Sequence, residues 1–204
     1  MQNGLDRLLA TYCSPTLAGI KPASLVSCDR NLYPDLPQRL NEYRNAFASR
    51  EIHFEIVCTC SARFLLLVYK KPQLERRMAD PQVQHVLRHF AYPVGQPLDV
   101  LLRNLKRRIA MSKDFPHEIG LFLGYPIEDV VGFIRYAGKG CELSGLWKVY
   151  GDAEGASRLI DRLSRVCRAV TKRVEKGENL FDVLATLLDS IELQIKNNQF
   201  ERRK

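Results

Sequence analysis

The sequence predicts an α+β fold: a small, mostly antiparallel sheet of about five strands covered by helices, with a C-terminal helical hairpin. Short runs of strand length, apolar or alternating, stand at 23–28, 52–58, 63–70, 117–123 and 145–150. Amphipathic segments of helical period lie between them and fill the C-terminal part of the chain. With 204 residues, 46% of them hydrophobic, the chain is able to bury one core. It divides into a single α+β domain over 1–176 and a C-terminal helix with a basic tail, 177–204, packed on it.

The elements follow in order. Leu5, Leu8, Leu9 and Tyr12 share one face of a first helix that ends at Ser14-Pro15. Cys13–Pro22, rich in proline and glycine, reads as a structured loop. Ala23–Cys28 is a short strand, and Gln38–Arg50 is a helix with Leu40, Tyr43 and Phe47 inward. Residues 52–70 form a hairpin turning at Cys60–Arg63. Its second arm, Phe64–Tyr69, is continuously apolar and so belongs at the centre of the sheet, buried on both faces. Pro72–Ala79 is a short helix. Asp80 caps the next, Pro81–Phe90, whose proline takes the first helical position. Tyr92-Pro93 breaks that helix, and Pro97–Met111 follows with Leu98, Leu101, Leu102, Leu105 and Ile109 on one side.

Phe115–Gly151 holds the densest run of residues that packing alone does not require. It reads as a strand at His117–Leu123, a Gly124-Tyr125-Pro126 turn, a helix at Ile127–Tyr136, a Gly138-Lys139-Gly140 loop and a strand at Leu146–Tyr150. Asp152 then caps a helix over Ala153–Lys176, Gly177 ends it, and Leu180–Lys196 pairs with it as an antiparallel hairpin.

Composition narrows the function classes. No apolar run approaches the roughly 20 residues that span a bilayer, and the N-terminus lacks the pattern of a signal peptide. The expectation is a cytoplasmic protein with no membrane partner. The net charge of +8 favours anionic partners. Its basic clusters read as solvated helix faces ahead of a nucleic-acid surface, because no recognised binding motif accompanies them. The six cysteines include no Cys-x-x-Cys pair, which removes zinc ribbons and thioredoxin-type motifs. Cys58-Thr59-Cys60 is a Cys-x-Cys; in a strand both thiols share a face and are able to meet one metal or one oxidant. The plainer reading, two small residues facing the core or closing a hairpin, is preferred. HExxH, GxSxG, GxGxxG and P-loop patterns are all missing.

Three phrases are long enough to be specific: CSPTLAGIKPASL at 13–25, FPHEIGLFLGYPIEDVVGFI at 115–134 and GLWKVYGD at 145–152. In this order they resemble the signature segments of the domain-of-unknown-function 3793 family, over roughly residues 10–170. That resemblance implies a cytoplasmic setting in clostridia-type anaerobes. It also implies an iron-linked or redox-linked role with a flavodoxin-like partner. It implies no established activity and names no cofactor.

The candidate chemistry comes from the residues themselves. His117, Lys148 and Cys13 are the candidate catalytic groups: a general base or metal ligand, a lysine in an otherwise apolar strand, and a loop thiol. Against these stand a strand-edge histidine satisfying a backbone group and a lysine that snorkels to water. Lys21, Glu118, Tyr125, Lys139 and Tyr150 are candidate ligand-binding residues, and Lys139 between two glycines is equally a solvated turn. If 117–123 is a strand, His117 and Glu118 face opposite sides and only one enters a given pocket. Cys58 and Cys60 are the candidate metal ligands. His85 and His89 share a helix face and read as a solvated pair. Three functions remain open: binding a small anionic or redox-active ligand, with or without catalysis; a Cys/His metal or haem site; and an adaptor whose basic helices bind an acidic protein or nucleic acid.

Overall fold

Helices pack on both faces of a small antiparallel sheet. In the computed structural model, which describes residues 3–60, 62–111 and 114–188, the elements run as follows. They are α1 (Asn3–Leu17), β1 (Ala23–Asp29), α2 (Leu36–Phe47, continued by a 3-10 turn at Ala48–Arg50), β2 (Ile52–Thr59), β3 (Arg63–Lys70), α3 (Lys71–Ala79), α4 (Pro81–His89), α5 (Leu98–Met111), α6 (Ile119–Phe122), α7 (Ile127–Arg135), β4 (Leu143–Ser144), β5 (Lys148–Val149) and α8 (Ala153–Glu175). Residues 180–188 are again helical.

The main sheet has three antiparallel strands in the order β1-β3-β2. As its apolar run demands, β3 is central, with Leu66, Leu67 and Val68 wholly buried. Alternate residues of β3 feed two separate cores. Phe64, Leu66 and Val68 pack with α1, α2 and α8 and with Leu180, Val183 and Leu184. Leu67 and Tyr69 pack on the other face with α3 to α7. The result is a thin sheet between two helical layers. Each fully buried leucine in it contributes about 1.5–3 kcal/mol.

Caps behave as the sequence requires. Asp80 accepts from the Gln82 N–H at 2.8 Å and Asp152 from the Gly155 N–H at 2.9 Å. Gly177, at φ 91°, turns the chain after α8.

Three expectations need correction. The segment 117–123 is not a strand but helical turns centred on α6, in which Ile119, Gly120 and Leu121 donate to the carbonyls of Pro116, His117 and Glu118. A short apolar run buried on every side has no periodicity that separates strand from helix. The first helix does not stop at Ser14-Pro15 but runs to Leu17 with Pro15 inside it. Cys13 and Leu17 are drawn into the core, and Ser14 Oγ donates to the Ala10 carbonyl at 2.5 Å. The expected strand at 145–150 is split: Gly145-Leu146-Trp147 forms a turn, and β4 and β5 make a separate two-stranded hairpin with Leu143 opposite Val149. The five strands thus fall in two sheets, one of three strands and one of two, not in a single sheet. The expected C-terminal helix enters the described residues only as far as 188.

Candidate functional site

A cleft of about 360 Å³ opens where the α6–α7 layer stops short of β1 and the β4–β5 turn stands over the gap. Leu25 of β1 floors it. Phe115, His117, Tyr125, Phe133, Leu146 and Trp147 wall it, with Lys148 and Asp129 as further polar groups.

Asp129 assembles this site. It lies in the first turn of α7, only 2% exposed. Its Oδ2 accepts from Trp147 Nε1 at 2.7 Å, and its Oδ1 accepts from the backbone N–H of Tyr150 at 2.7 Å and of Gly151 at 2.9 Å. Three donors satisfy the buried carboxylate and fasten the hairpin to the helix. Trp147 is thereby stacked on Tyr125, with centroids 4.9 Å apart and planes at 23°. The Tyr125 carbonyl is itself held by Arg77 Nη2 at 2.6 Å. Glycines permit the close fit: a Cβ at Gly132 would stand 2.5 Å from Tyr150 Cβ, and one at Gly120 would stand 2.8 Å from Val130 Cγ2.

His117 and Lys148 both line this aromatic frame. The His117 ring is exposed and meets Phe133 edge-on at 4.7 Å. Lys148 lines the cleft and donates from Nζ to the Gly138 carbonyl at 2.5 Å, at the C-terminal end of α7.

Of the residues singled out from the sequence, His117, Tyr125 and Lys148 meet in the cleft. The others lie elsewhere. Cys13 is fully buried in the core between α1 and the sheet, where burial pushes its thiol pKa up, opposed by Lys21. Lys21 sits behind the wall, its Nζ 5.0 Å from the Tyr125 ring centroid; burial lowers its pKa to about 8. Glu118 turns inward to an ion pair with Arg108 and receives the Tyr92 hydroxyl at 3.3 Å, which ties α6 to α5. Tyr150 gives its backbone N–H to Asp129 and stacks on Tyr136 at 5.8 Å. Among the described residues its hydroxyl has no hydrogen-bond partner. Lys139 is exposed on the turn between Gly138 and Gly140, both at positive φ. Cys58 is half-buried and Cys60 exposed at the far end of β2. Among the described residues no group of three or more His, Cys, Asp or Glu side chains stands together as a metal site. His85 and His89 pack edge-on at 4.9 Å on α4, with His89 Nδ1 2.9 Å from the His85 carbonyl.

Sequence reasoning missed Asp129, Phe115, Phe133 and Leu146. Asp129 reads as an ordinary acidic residue suited to a helix N-terminus, and Phe133 lies off the apolar stripe of Ile127, Val130, Val131 and Ile134. Trp147, the single tryptophan, was the available signal for a specific site.

An α+β domain with helices on both faces of a small sheet, carrying an aromatic-walled cleft, is therefore the class to which this molecule belongs. The chain belongs to the family described as protein of unknown function DUF3793, whose model matches residues 9–184. Comparison with curated proteins and with solved structures yields no match. Among the described residues no helix is long and apolar enough to cross a membrane.

Proposed function

We propose that this protein binds a small ligand with a flat apolar body and an anionic group, held in the cleft between α6–α7 and the β4–β5 hairpin. The observation that carries the reading is the convergence of Tyr125, Phe133 and Trp147 with Lys148 and His117 on one concavity. A volume of about 360 Å³ lies within the roughly 300–1,000 Å³ typical of ligand sites, and a mostly apolar lining with few polar groups is their usual chemistry. Exposed Phe115 and Leu146, 41% and 50% accessible, form apolar lips that a ligand would cover. Lys148 supplies the charge for the anion, and a planar ring would lie along the aromatic walls. The net charge of +8 favours the approach of an anion.

Trp147 makes the test direct, because the chain has one tryptophan. Titrating planar aromatic carboxylates, sulfonates and flavin mononucleotide should give saturable quenching of its fluorescence. Replacing Phe133→Ala should weaken that binding. Lys148→Ala should weaken the anionic probes while leaving their uncharged analogues unaffected. Equal affinity for charged and uncharged probes would overturn the role of Lys148. No saturable quenching by any planar probe would overturn the binding proposal itself.

A further inference from the structure

A second site lies at the other end of the sheet, away from the cleft. Cys58-Thr59-Cys60 closes β2, and the β2–β3 register slips between Ile56 and Cys58. That bulge sets Cys58 opposite Leu65 and Thr59 opposite Phe64. Phe64 faces the α1 core and Leu65 packs against the opposite one. Cys58 therefore shares the face of Leu65; Cys60, one residue beyond β2, donates its backbone N–H to the Arg63 carbonyl at 3.0 Å, which sets it opposite Arg63 on that same face. Without the bulge, strict alternation would direct both thiols into the α1 core.

The two thiols are unequal. Cys58 is half-buried against the sheet, whereas Cys60 is exposed. The Arg63 backbone N–H donates to Cys60 Sγ at 3.3 Å, and Arg30 Nη1 holds the Cys60 carbonyl at 2.8 Å. The Ala62 and Arg63 backbone amides hold the Cys60 thiol below its ordinary pKa, and Arg30 acts in the same direction. An exposed thiol among amide donors and arginines is the setting of a reactive cysteine. An extended backbone spans about 6.6 Å over two residues, at the upper edge of the roughly 4.4–6.8 Å Cα window for a disulfide. Such a bond is short-lived and reducible.

We infer that Cys58 and Cys60 form a dithiol that exchanges with disulfide substrates, Cys60 being the attacking and Cys58 the resolving thiol. The Cys60 thiolate attacks one sulfur of a substrate disulfide; that S–S bond breaks, one half leaves as a thiolate, and a mixed disulfide forms on Cys60. Cys58 loses its proton and attacks Cys60 Sγ. The Cys58–Cys60 bond forms and the second half leaves. The protein dithiol is oxidised, the substrate disulfide is reduced to two thiols, and the two protein protons pass to the leaving thiolates.

Trypsin cuts after Arg50 and Arg63, so both thiols fall in one peptide, 51–63, with no third cysteine. The folded, full-length protein is treated with oxidised glutathione, acid-quenched, digested and weighed. The wild-type peptide should become lighter by two hydrogens without retaining glutathione. Cys58→Ser should trap glutathione on Cys60, and Cys60→Ser should react at least about tenfold more slowly than wild type. Circular dichroism checks that each serine variant keeps the fold. A wild-type peptide that stays reduced or keeps glutathione would overturn the inference. So would a Cys58→Ser peptide without adduct, or a Cys60→Ser protein that reacts as fast as wild type.

Discussion

Replacing Asp129 with asparagine tests whether one buried carboxylate assembles the cleft. The carboxylate accepts three hydrogen bonds, two from backbone N–H groups on Oδ1 and one from Trp147 Nε1 on Oδ2. An asparagine is able to keep its oxygen on the two backbone donors. Its amide N–H₂ then points at the indole N–H, donor against donor. The buried indole donor loses its partner, at a cost of about 1–3 kcal/mol, and the two retained bonds each lose about 1 kcal/mol with the charge. The expected destabilisation is about 3–5 kcal/mol, a large fraction of the roughly 5–15 kcal/mol that holds a domain together. The effect should be local first, because hairpin 143–151 leaves α7 before the sheet is disturbed. Urea unfolding followed by far-ultraviolet circular dichroism measures the stability. The emission of Trp147, the single tryptophan, separately reports hairpin release as a red shift in the native baseline. A variant within about 0.5 kcal/mol of wild type, with unshifted emission, would show that Asp129 does not organise the site.

Further outcomes follow from the same geometry. Gly132→Ala should cost at least about 1–3 kcal/mol by overpacking, since its Cβ would stand 2.5 Å from Tyr150 Cβ; thermal unfolding reads this, and a neutral result would mean that the hairpin moves freely on α7. Glu118→Gln should cost about 2–3 kcal/mol, less than the roughly 3–5 kcal/mol of a wholly buried pair, because Arg108 keeps 28% of its side chain exposed; unchanged denaturant midpoints would refute its role as the α6–α5 tie. Lys21 has a folded pKa near 8 against an ordinary value of 10.5, so between those values the unfolded chain binds more protons. The Lys21 contribution to stability is therefore unfavourable below pH 8 and is relieved as pH rises toward 10.5. Lys21→Met should be more stable than wild type at pH 7, with the difference shrinking by pH 10; a constant difference would place Lys21 in water.

How much was legible beforehand depended on whether a signal was local. The central position of β3, the Asp80 and Asp152 caps, the amphipathic helices α5, α7 and α8 and the Tyr125 turn all rest on composition and spacing within a few residues, and these stand. The strand expected at 117–123 failed because an apolar run buried on all sides carries no period, and the neighbours that bury it come from α3 and α7. Likewise 145–150 looked like one strand because its alternation is that of a hairpin arm, while the turn at Gly145–Trp147 is set by Asp129, many residues earlier.

The sequence by itself determined the fold class, the layering implied by an apolar central strand, and the presence of an unusual segment at 115–151, because short-range periodicity and turn chemistry encode them. Only the tertiary structure decided which of the singled-out residues meet. It brought His117, Tyr125 and Lys148 to one cleft. It sent Cys13 and Glu118 into the interior, and through a single bulge it set Cys58 opposite Leu65, away from the α1 core. Those outcomes depend on packing between distant elements and on where each buried carboxylate found its donors, which no local pattern records.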